Sequence, residues 1–403
     1  MIRLSILFLL VSISHFVNAN PIYSIKIEVE SHWNMSFIPG FTSFSVSGIS
    51  ENHNILAVVG SDTIPLRPNT HFSQQTVSQL VAFNNLEFGI ELINLSKRKL
   101  QLQLSAYNAN YSPLLTYKIK QAQLAFKKNN CDLPPVIDQK IWREGLPDPK
   151  PNPSTTNASH LVVHHSATSN TATDYLLAVR NIYLYHINNN GWDDVGYNYL
   201  IDPNGVLYAG RDGQGKNDDE IKGAHFCGKN SNTMGICLIG NYSQTPVSDS
   251  MQNTLEQLLA WKAKKNNIQP LESQLHPKGV SNAIVLNNIC GHRDGCATEC
   301  PGNYAYQLMD SIKTHVAIKL VDCGFSVHAQ QLKTNKTFII KHNKILLNNQ
   351  NKVQYFIFDP TGRLLDQGVA QNQIELNDYS GLLIVHFKSK DKMQTIKLFR
   401  NGN

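Results

Sequence analysis

Apolar and polar positions follow three successive patterns along the chain. Within residues 20–130 they alternate in short runs, at residues 24–29, 86–95 and, most regularly, 99–104. Clusters of Asn, Gly, Ser and Pro separate the runs. Alternation with a period of two is typical of strands that bury one face. The pattern predicts an all-β sandwich over residues 20–130, in which no catalytic constellation stands out.

The second pattern begins with a segment dense in proline. Its prolines are Pro134, Pro135, Pro147, Pro149, Pro151 and Pro153. Such a composition resists both helix and sheet, so it marks a domain boundary or an extended segment that wraps over a neighbouring domain.

Strand and helix patterns alternate from residue 160 onward. The predicted strands cover residues 160–164, 197–201, 206–209 and 234–239. The predicted helices cover residues 174–186, 249–265 and 302–320. Asp-Pro-Asn-Gly at residues 202–205 is a strong hairpin signal between two of the strands. Residues 131–321 are therefore predicted to form a mixed α/β domain, with one central sheet flanked by helices.

A β pattern returns in residues 331–403. Its runs cover residues 337–340, 353–358 and 382–387, and a turn is predicted at residues 359–362. We expect a small C-terminal β-sandwich, of a size that folds alone only marginally.

The first 19 residues have the parts of a secretory signal peptide. Arg3 is the basic start, residues 4–11 are apolar, and Val17-Asn18-Ala19 forms a small-residue cleavage site. A membrane anchor is the alternative, but the apolar run is shorter than the roughly 20 residues that a spanning helix needs, and no later segment qualifies. The sequence predicts an exported protein without a transmembrane segment.

Cysteine usage agrees with export, because disulfides form in an oxidising compartment. The seven cysteines all lie at or after Cys131, and their odd number leaves one thiol for which a metal ligand is a suitable role. Cys227 and Cys237 bracket a strand entry and are predicted to form a disulfide. Three pairings stay open among Cys131, Cys290, Cys296 and Cys323.

Charge argues against one class of partner. The formal net charge is +6, but residues 131–330 hold 15 basic and 19 acidic residues, whereas residues 331–403 hold 11 basic and 5 acidic ones. A domain with excess negative charge is not a polyanion binder, so no nucleic-acid partner is expected. The basic flanks of this domain serve solubility or adhesion to an anionic wall or membrane surface.

Three side chains of the middle domain share one chemical role. His164 ends a predicted strand, His292 lies in Gly291-His292-Arg293-Asp294, and Cys300 lies in Thr298-Glu299-Cys300-Pro301-Gly302. Two imidazoles and a thiolate make a tetrahedral zinc set with a fourth position for water, as in catalytic sites. Proline is favoured at the first position of a helix, so Pro301 places Cys300 near the positive end of the predicted helix, which would favour the thiolate.

The ordered motifs of this domain resemble the type 2 N-acetylmuramoyl-L-alanine amidase and peptidoglycan-recognition-protein family over residues 131–321. Besides the two motifs above, the resemblance rests on Val163-His164-His165-Ser166-Ala167-Thr168, on residues 191–201, on Gly210-Arg211, on Gly223-Ala224-His225 and on Met234-Gly235-Ile236. Each fragment is weak singly, but the set in this order is specific.

The resemblance implies roles for ten residues. His164, His292 and Cys300 fall on the family's zinc ligands, and Tyr197 falls on the tyrosine that assists the zinc-bound water or the tetrahedral intermediate. Thr298 occupies a position that is lysine in phage-type members and threonine in recognition-protein amidases. The implied substrate contacts are His186, Trp192, Arg211, His225 and Asn230. Trp192 is equally readable as a core aromatic, and Arg211 as a surface ion-pair partner.

The C-terminal module is similar to the type nine secretion sorting domain of Gram-negative bacteria. The similarity rests on residues 353–364, 374–376 and 379–385, and on the basic tail. It implies an address read by secretion machinery, with no catalytic role, for a protein released or attached outside the cell.

These inferences predict a secreted zinc amidase that hydrolyses the amide between N-acetylmuramic acid and L-alanine in peptidoglycan. One alternative is a recognition protein that binds peptidoglycan without cutting it. Another is a surface adhesin in which the middle domain is a passenger. Because a pure binder has no need of a thiolate at residue 300, Cys300 favours the enzyme.

Overall fold

The computed structural model describes residues 22–35, 41–68, 76–82, 89–96, 98–124, 131–277, 279–325, 338–341, 344–347, 352–359, 363–376, 379, 381–389 and 392–400. The predicted signal peptide lies outside the described residues, and so does the predicted turn apart from Asp359.

The N-terminal part has two four-stranded antiparallel sheets, in the orders β1-β8-β3-β6 and β2-β7-β4-β5. The strands are β1 (Ile22–Val29), β2 (His32–Met35), β3 (Ser43–Ser47), β4 (Ile55–Val59), β5 (Asp62–Leu66), β6 (Val81–Ala82), β7 (Ile90–Asn94) and β8 (Leu100–Tyr107). In β8 the leucines are buried and the two glutamines between them are exposed, which produces the alternating pattern in the sequence. The two sheets share one apolar core.

A helix follows β8, although the sequence pattern predicted only strands before residue 131. Helix α1 (Pro113–Leu124) starts with Pro113, and proline is favoured in a first helical turn because its missing N–H would have no partner there. Leu115 and Ile119, one turn apart, are buried against residues of the central domain. The helix is thus formed by packing between the two parts, which a local pattern does not record.

The central region has a six-stranded mixed sheet, and helices pack against it. The strands of the region are β9 (Val136–Ile137), β10 (His160–His165), β11 (Tyr199–Ile201), β12 (Leu207–Ala209), β13 (Thr233–Leu238), β14 (Ser273–His276), β15 (Ile284–Asn287) and β16 (Ile289–Gly291). Its helices are α2 (Gln139–Trp142), α3 (Tyr175–Leu184), α4 (Asp249–Asn266), α5 (Asn303–Gln307) and α6 (Met309–Asp322). A π-helical turn, Tyr185–Asn189, extends α3.

The sheet order is β16-β10-β13-β11-β12-β9, with β14 and β15 forming a separate hairpin. All neighbours in the sheet are parallel except the predicted hairpin pair β11 and β12. Helices α4 and α6 pack on one face and α3 on the other, so the sheet is buried on both sides. The prediction of a central mixed sheet with flanking helices is confirmed.

Two disulfides join described cysteines, and their pairing corrects the prediction. Cys131 bonds to Cys323, and Cys227 bonds to Cys296. Cys237 cannot reach Cys227, because it lies in the buried strand β13 opposite His164 of β10, whereas Cys227 is in an exposed loop. Three thiols are free, those of Cys237, Cys290 and Cys300, so the expectation of a single leftover thiol is also wrong.

The C-terminal part has a three-stranded sheet, β17-β18-β21, and a four-stranded one, β20-β19-β22-β23. The strands are β17 (Phe338–Lys341), β18 (Lys344–Leu347), β19 (Val353–Phe358), β20 (Leu364–Ala370), β21 (Gln373–Glu375), β22 (Gly381–Ser389) and β23 (Lys392–Arg400). Side chains from both sheets meet in one small apolar core. In the described part of the chain, no helix has both the length and the apolar character needed to cross a bilayer.

Candidate metal centre

Parallel pairing of β10 with β16 brings two histidines together. The register sets Val163 opposite Gly291, so the residues that follow them, His164 and His292, emerge side by side near the carboxyl ends of these strands. Their ring centroids are 4.4 Å apart, and both side chains are buried. The carboxyl edge of parallel strands is where open α/β sheets carry their ligand sites.

The chain after His292 returns to the same point and adds a thiol. Arg293 N donates to Cys300 O at 2.9 Å, which closes the loop, and His165 N donates to Cys300 Sγ at 3.3 Å. Cys300 Sγ lies 3.7 Å from His164 Nδ1, and one ligand atom from each of His164, His292 and Cys300 lies within 4.8 Å of the others. A tetrahedral zinc site separates sulfur from nitrogen by roughly 3.5 Å, so the set fits zinc.

The electrostatics of Cys300 suit a metal ligand better than a free thiol. Burial raises the pKa of the thiol, while the His165 N–H and the Arg293 charge act in the opposite direction. Helix α5 begins at Asn303, one residue after the predicted start, and the predicted single helix is divided into α5 and α6. A bound cation would favour the thiolate, because metal coordination deprotonates a thiol.

His225 lies behind His164, on the side away from Cys300. His164 Nε2 is 3.0 Å from His225 Nδ1, and His225 Nε2 is 3.3 Å from Thr233 Oγ1. The His225 ring fits there because two neighbours are glycines: a Cβ on Gly223 or on Gly235 would lie 2.3 or 2.5 Å from a ring carbon. Sequence reasoning identified His225 as a substrate contact, and the structure places it, buried, against a candidate ligand.

Tyr197 stands beside the three candidate ligands. Its ring centroid is 5.4 Å from that of His164, and the residue is 2% exposed. Burial raises the pKa of the phenol, as do the nearby thiols of Cys237 and Cys300, so the hydroxyl is neutral and can donate a hydrogen bond. Arg211 N donates to Tyr197 O at 3.0 Å, which fixes the backbone of the tyrosine.

Thr298 is connected to the candidate metal centre by a hydrogen bond with the backbone of Cys300. Its Oγ1 accepts a hydrogen bond from Cys300 N at 3.2 Å, which leaves the hydroxyl proton available to another acceptor. Thr298 therefore lies in the loop that carries the thiol.

Two of the predicted substrate contacts form an aromatic group with Tyr197. The ring centroid of His186 lies 4.7 Å from that of Trp192 and 5.5 Å from that of Tyr197. His186 Nδ1 accepts a hydrogen bond from Gly196 N at 3.1 Å, which orients the imidazole. Trp192 is partly exposed, so part of its ring is accessible at the edge of the group.

The other two predicted contacts bond to their own surroundings. Arg211 is buried and its Nε donates to Val195 O at 3.0 Å. Asn230 Oδ1 accepts from His225 N and Phe226 N at 2.7 and 2.8 Å, so this side chain holds the loop that carries His225.

A cavity of about 10 Å³ lies next to Tyr197. It is lined by Leu80, Ser166, Thr168, Ile182, Tyr185, His186 and Tyr197. Sequence reasoning missed Leu80, because this residue belongs to the N-terminal part and no local signal ties it to a site formed more than 80 residues later.

Comparisons with known proteins place this region in one family. The sequence model of the N-acetylmuramoyl-L-alanine amidase family matches residues 154–303. Peptidoglycan-recognition protein SC2 of Drosophila simulans is 33% identical over 146 residues, which are 36% of this chain and 68% of that protein. The N-acetylmuramoyl-L-alanine amidase of Sus scrofa is 26% identical over 164 residues, 40% of this chain and 24% of that one.

Among solved structures, wild-type Drosophila PGRP-LB matches with 25% identity and a TM-score of 0.35, covering 44% of this chain and 92% of that one. The sequence matches decide the family, because a relative above 30% identity is covered over two thirds of its length. This chain therefore belongs to the family of N-acetylmuramoyl-L-alanine amidases and peptidoglycan-recognition proteins.

Proposed function

We propose that this protein is a secreted, zinc-dependent N-acetylmuramoyl-L-alanine amidase that cuts the stem peptide from the sugar strand of peptidoglycan. The observation that carries the proposal is the convergence of His164, His292 and Cys300, all buried, with their ligand atoms within 4.8 Å of one another. Two imidazoles and a thiolate make a catalytic zinc set, which leaves one coordination position for water or substrate.

When zinc is bound, it supplies a Lewis acid for the scissile carbonyl and lowers the pKa of a water molecule. The protein then has to hold the amide and stabilise the charge that develops on its oxygen. Tyr197 suits that task, because burial keeps its hydroxyl protonated beside His164. Thr298 offers one further proton from the Cys300 loop, without a charge.

The substrate contacts are proposed in two groups. His186 and Trp192 form an aromatic edge beside Tyr197 on which a peptide or sugar can pack. The second group is Arg211, His225 and Asn230. Besides contacting the substrate, Arg211 holds the backbone of Tyr197 through its own N–H, Asn230 holds the loop at residues 225–230, and His225 lies against His164.

The alternative is a recognition protein that holds peptidoglycan without hydrolysis. The names of the relatives include both recognition proteins and an amidase. A binder has no need of a buried thiol between two histidines, and this chain has one at Cys300. That residue favours the enzyme over the binder and over a passenger domain in an adhesin.

Export is proposed from the disulfides and the N-terminal sequence together. Bonds between Cys131 and Cys323 and between Cys227 and Cys296 form in an oxidising compartment. We propose that residues 1–19 direct export and that the module at residues 331–403 is read by secretion machinery.

Dye-labelled peptidoglycan tests the activity. The enzyme is expected to release soluble dye, to lose release after treatment with a chelator and to regain it when zinc is added. Binding of the labelled wall without release in the presence of zinc would identify a recognition protein. Neither binding nor release would identify a passenger domain.

A further inference from the structure

The N-terminal sandwich is fixed to the helix that borders the candidate active site. Arg180 of α3 is fully buried, and its guanidinium donates to Ala109 O and Asn110 O at 2.8 and 2.7 Å and to Trp142 O at 2.6 Å. One cation thus joins the segment after β8 to the central domain. A buried guanidinium that satisfies several carbonyls holds its neighbours in one geometry, because any shift leaves a desolvated charge without partners.

Asn181, the next residue of α3, adds a second polar connection. Its Oδ1 accepts from the hydroxyls of Thr42 and Ser43 at 2.7 and 2.8 Å. These groups are all buried. The sandwich therefore cannot slide along α3 without breaking hydrogen bonds from which water is excluded.

The same contact reaches the π-helical turn that carries His186. Tyr107 packs edge-on against Tyr185, with ring centroids 6.2 Å apart, and its hydroxyl donates to Asn189 Oδ1 at 3.3 Å. Tyr185 in turn donates to Ser78 O at 3.4 Å. The segment around Ser78 is thereby held against the turn, and π-helical turns are frequent at functional sites.

This docking brings Leu80, two residues after Ser78, into the wall of the cavity beside Tyr197. Leu80 is 4% exposed and faces the same cavity as Ile182. The remaining wall consists of the hydroxyls of Ser166 and Thr168, which are 2.8 Å apart, and the rings of Tyr185, His186 and Tyr197. A cavity of about 10 Å³ has room for roughly one water molecule or one methyl group.

We infer that Leu80 of the N-terminal sandwich is a specificity-determining residue, which limits the size of the side chain on the substrate residue next to the scissile amide. The inference rests on the proposed amidase function, in which that residue is L-alanine. A methyl group fits against Leu80 and Ile182, whereas a longer side chain would have to displace Leu80. The docked sandwich then acts as one wall of the active site.

Two soluble substrates that differ by one methylene test this inference. They are muramoyl peptides with L-alanine or L-2-aminobutyrate as the first residue, and kcat/KM is measured for both with zinc-loaded full-length protein. One methylene against apolar side chains, here Leu80 and Ile182, changes kcat/KM by about 10- to 200-fold. We expect the native protein to prefer L-alanine by a factor in this range, and Leu80→Ala to reduce that preference to within about threefold.

The matched control is Leu92→Ala, the same truncation at a fully buried residue of the N-terminal core that does not line the cavity. Its preference for L-alanine should equal that of the native protein. Leu80→Phe covers the case in which Leu80→Ala does not fold, because a larger side chain should instead shift the preference from L-alanine towards glycine.

An unchanged preference in both Leu80 variants would overturn the inference while leaving the amidase function intact. No hydrolysis of the L-alanine substrate by the native protein would instead overturn the proposed function.

Discussion

Nε2 of His164 lies 3.0 Å from Nδ1 of His225, while Nδ1 of His164 faces the Cys300 sulfur at 3.7 Å. If a metal ion binds Nδ1 of His164, on the side of the sulfur, Nε2 of His164 carries the ring proton and donates a hydrogen bond to Nδ1 of His225. His225 then donates from its own Nε2 to Thr233 Oγ1, whose proton bonds to Asn230 O at 2.8 Å. This chain of hydrogen bonds fixes one tautomer and one ring orientation of His164.

His225→Leu is expected to weaken zinc binding, because it removes the acceptor that orients His164. Loss of such an outer partner typically costs about 10- to 100-fold in metal affinity, which competition with a chelator measures without any substrate. His225→Asn should recover part of the loss, because its Oδ1 can accept from His164 Nε2. Unchanged zinc affinity with a raised KM would instead make His225 a substrate contact only.

Cys300→Ser is expected to abolish both zinc retention and dye release, because a hydroxyl is a much poorer zinc ligand than a thiolate. The fold and peptidoglycan binding should persist. Cys290→Ser is the matched control: this thiol is also buried and free, but it packs among apolar side chains outside the metal cluster. Undiminished turnover by the Cys300 variant would refute the zinc assignment.

Tyr197→Phe should lower kcat while the zinc content stays at the native level. Removing one donor to a developing oxyanion costs about 100- to 1000-fold in kcat. Tyr199→Phe removes an equally buried hydroxyl from a ring that packs against Trp261, and it should leave kcat unchanged. Loss of zinc from the Tyr197 variant would show that the phenol supports the ligands and not the reaction.

Asp219 and Lys262 form a buried ion pair that can be tested through stability. Lys262 is fully buried and donates to Asp219, as does Lys265. Asp219→Asn leaves the Lys262 charge without its partner, so we expect a loss of about 3 to 5 kcal/mol in the free energy of unfolding. The control Glu220→Gln removes a half-exposed partner of Lys265 and should cost less than about 1 kcal/mol.

The same pair gives the fold a dependence on pH. Burial alone would raise the pKa of the Asp219 carboxyl, but hydrogen bonds from Lys262 and Lys265 outweigh it and hold that pKa below its ordinary value. A carboxyl with a lower pKa in the folded state stabilises the fold above pH of about 4, and this stabilisation is lost as pH falls. Urea unfolding should show a smaller loss of stability between pH 5 and 3, approximately, in Asp219→Asn than in the native protein.

The sequence was sufficient to predict that His164, His292 and Cys300 form one cluster, because their side-chain types, their positions at predicted strand ends and the order of the motifs all indicate the same metal site. It was not sufficient for contacts that depend on three-dimensional packing. Cys227 pairs with Cys296 because two loops meet, and Leu80 lines the cavity because a polar interface docks the sandwich on α3. Helix α1 likewise forms where its apolar side chains find a neighbouring domain.

The bond between Cys131 and Cys323 ties the chain just before β9 to the chain just after α6. Every candidate ligand lies inside the ring of covalent bonds that results. A single proteolytic cut within that ring would leave both pieces attached, and a cut after Cys323 would remove the C-terminal module without opening it. Loss of the C-terminal module would thus leave His164, His292 and Cys300 within one covalently closed segment.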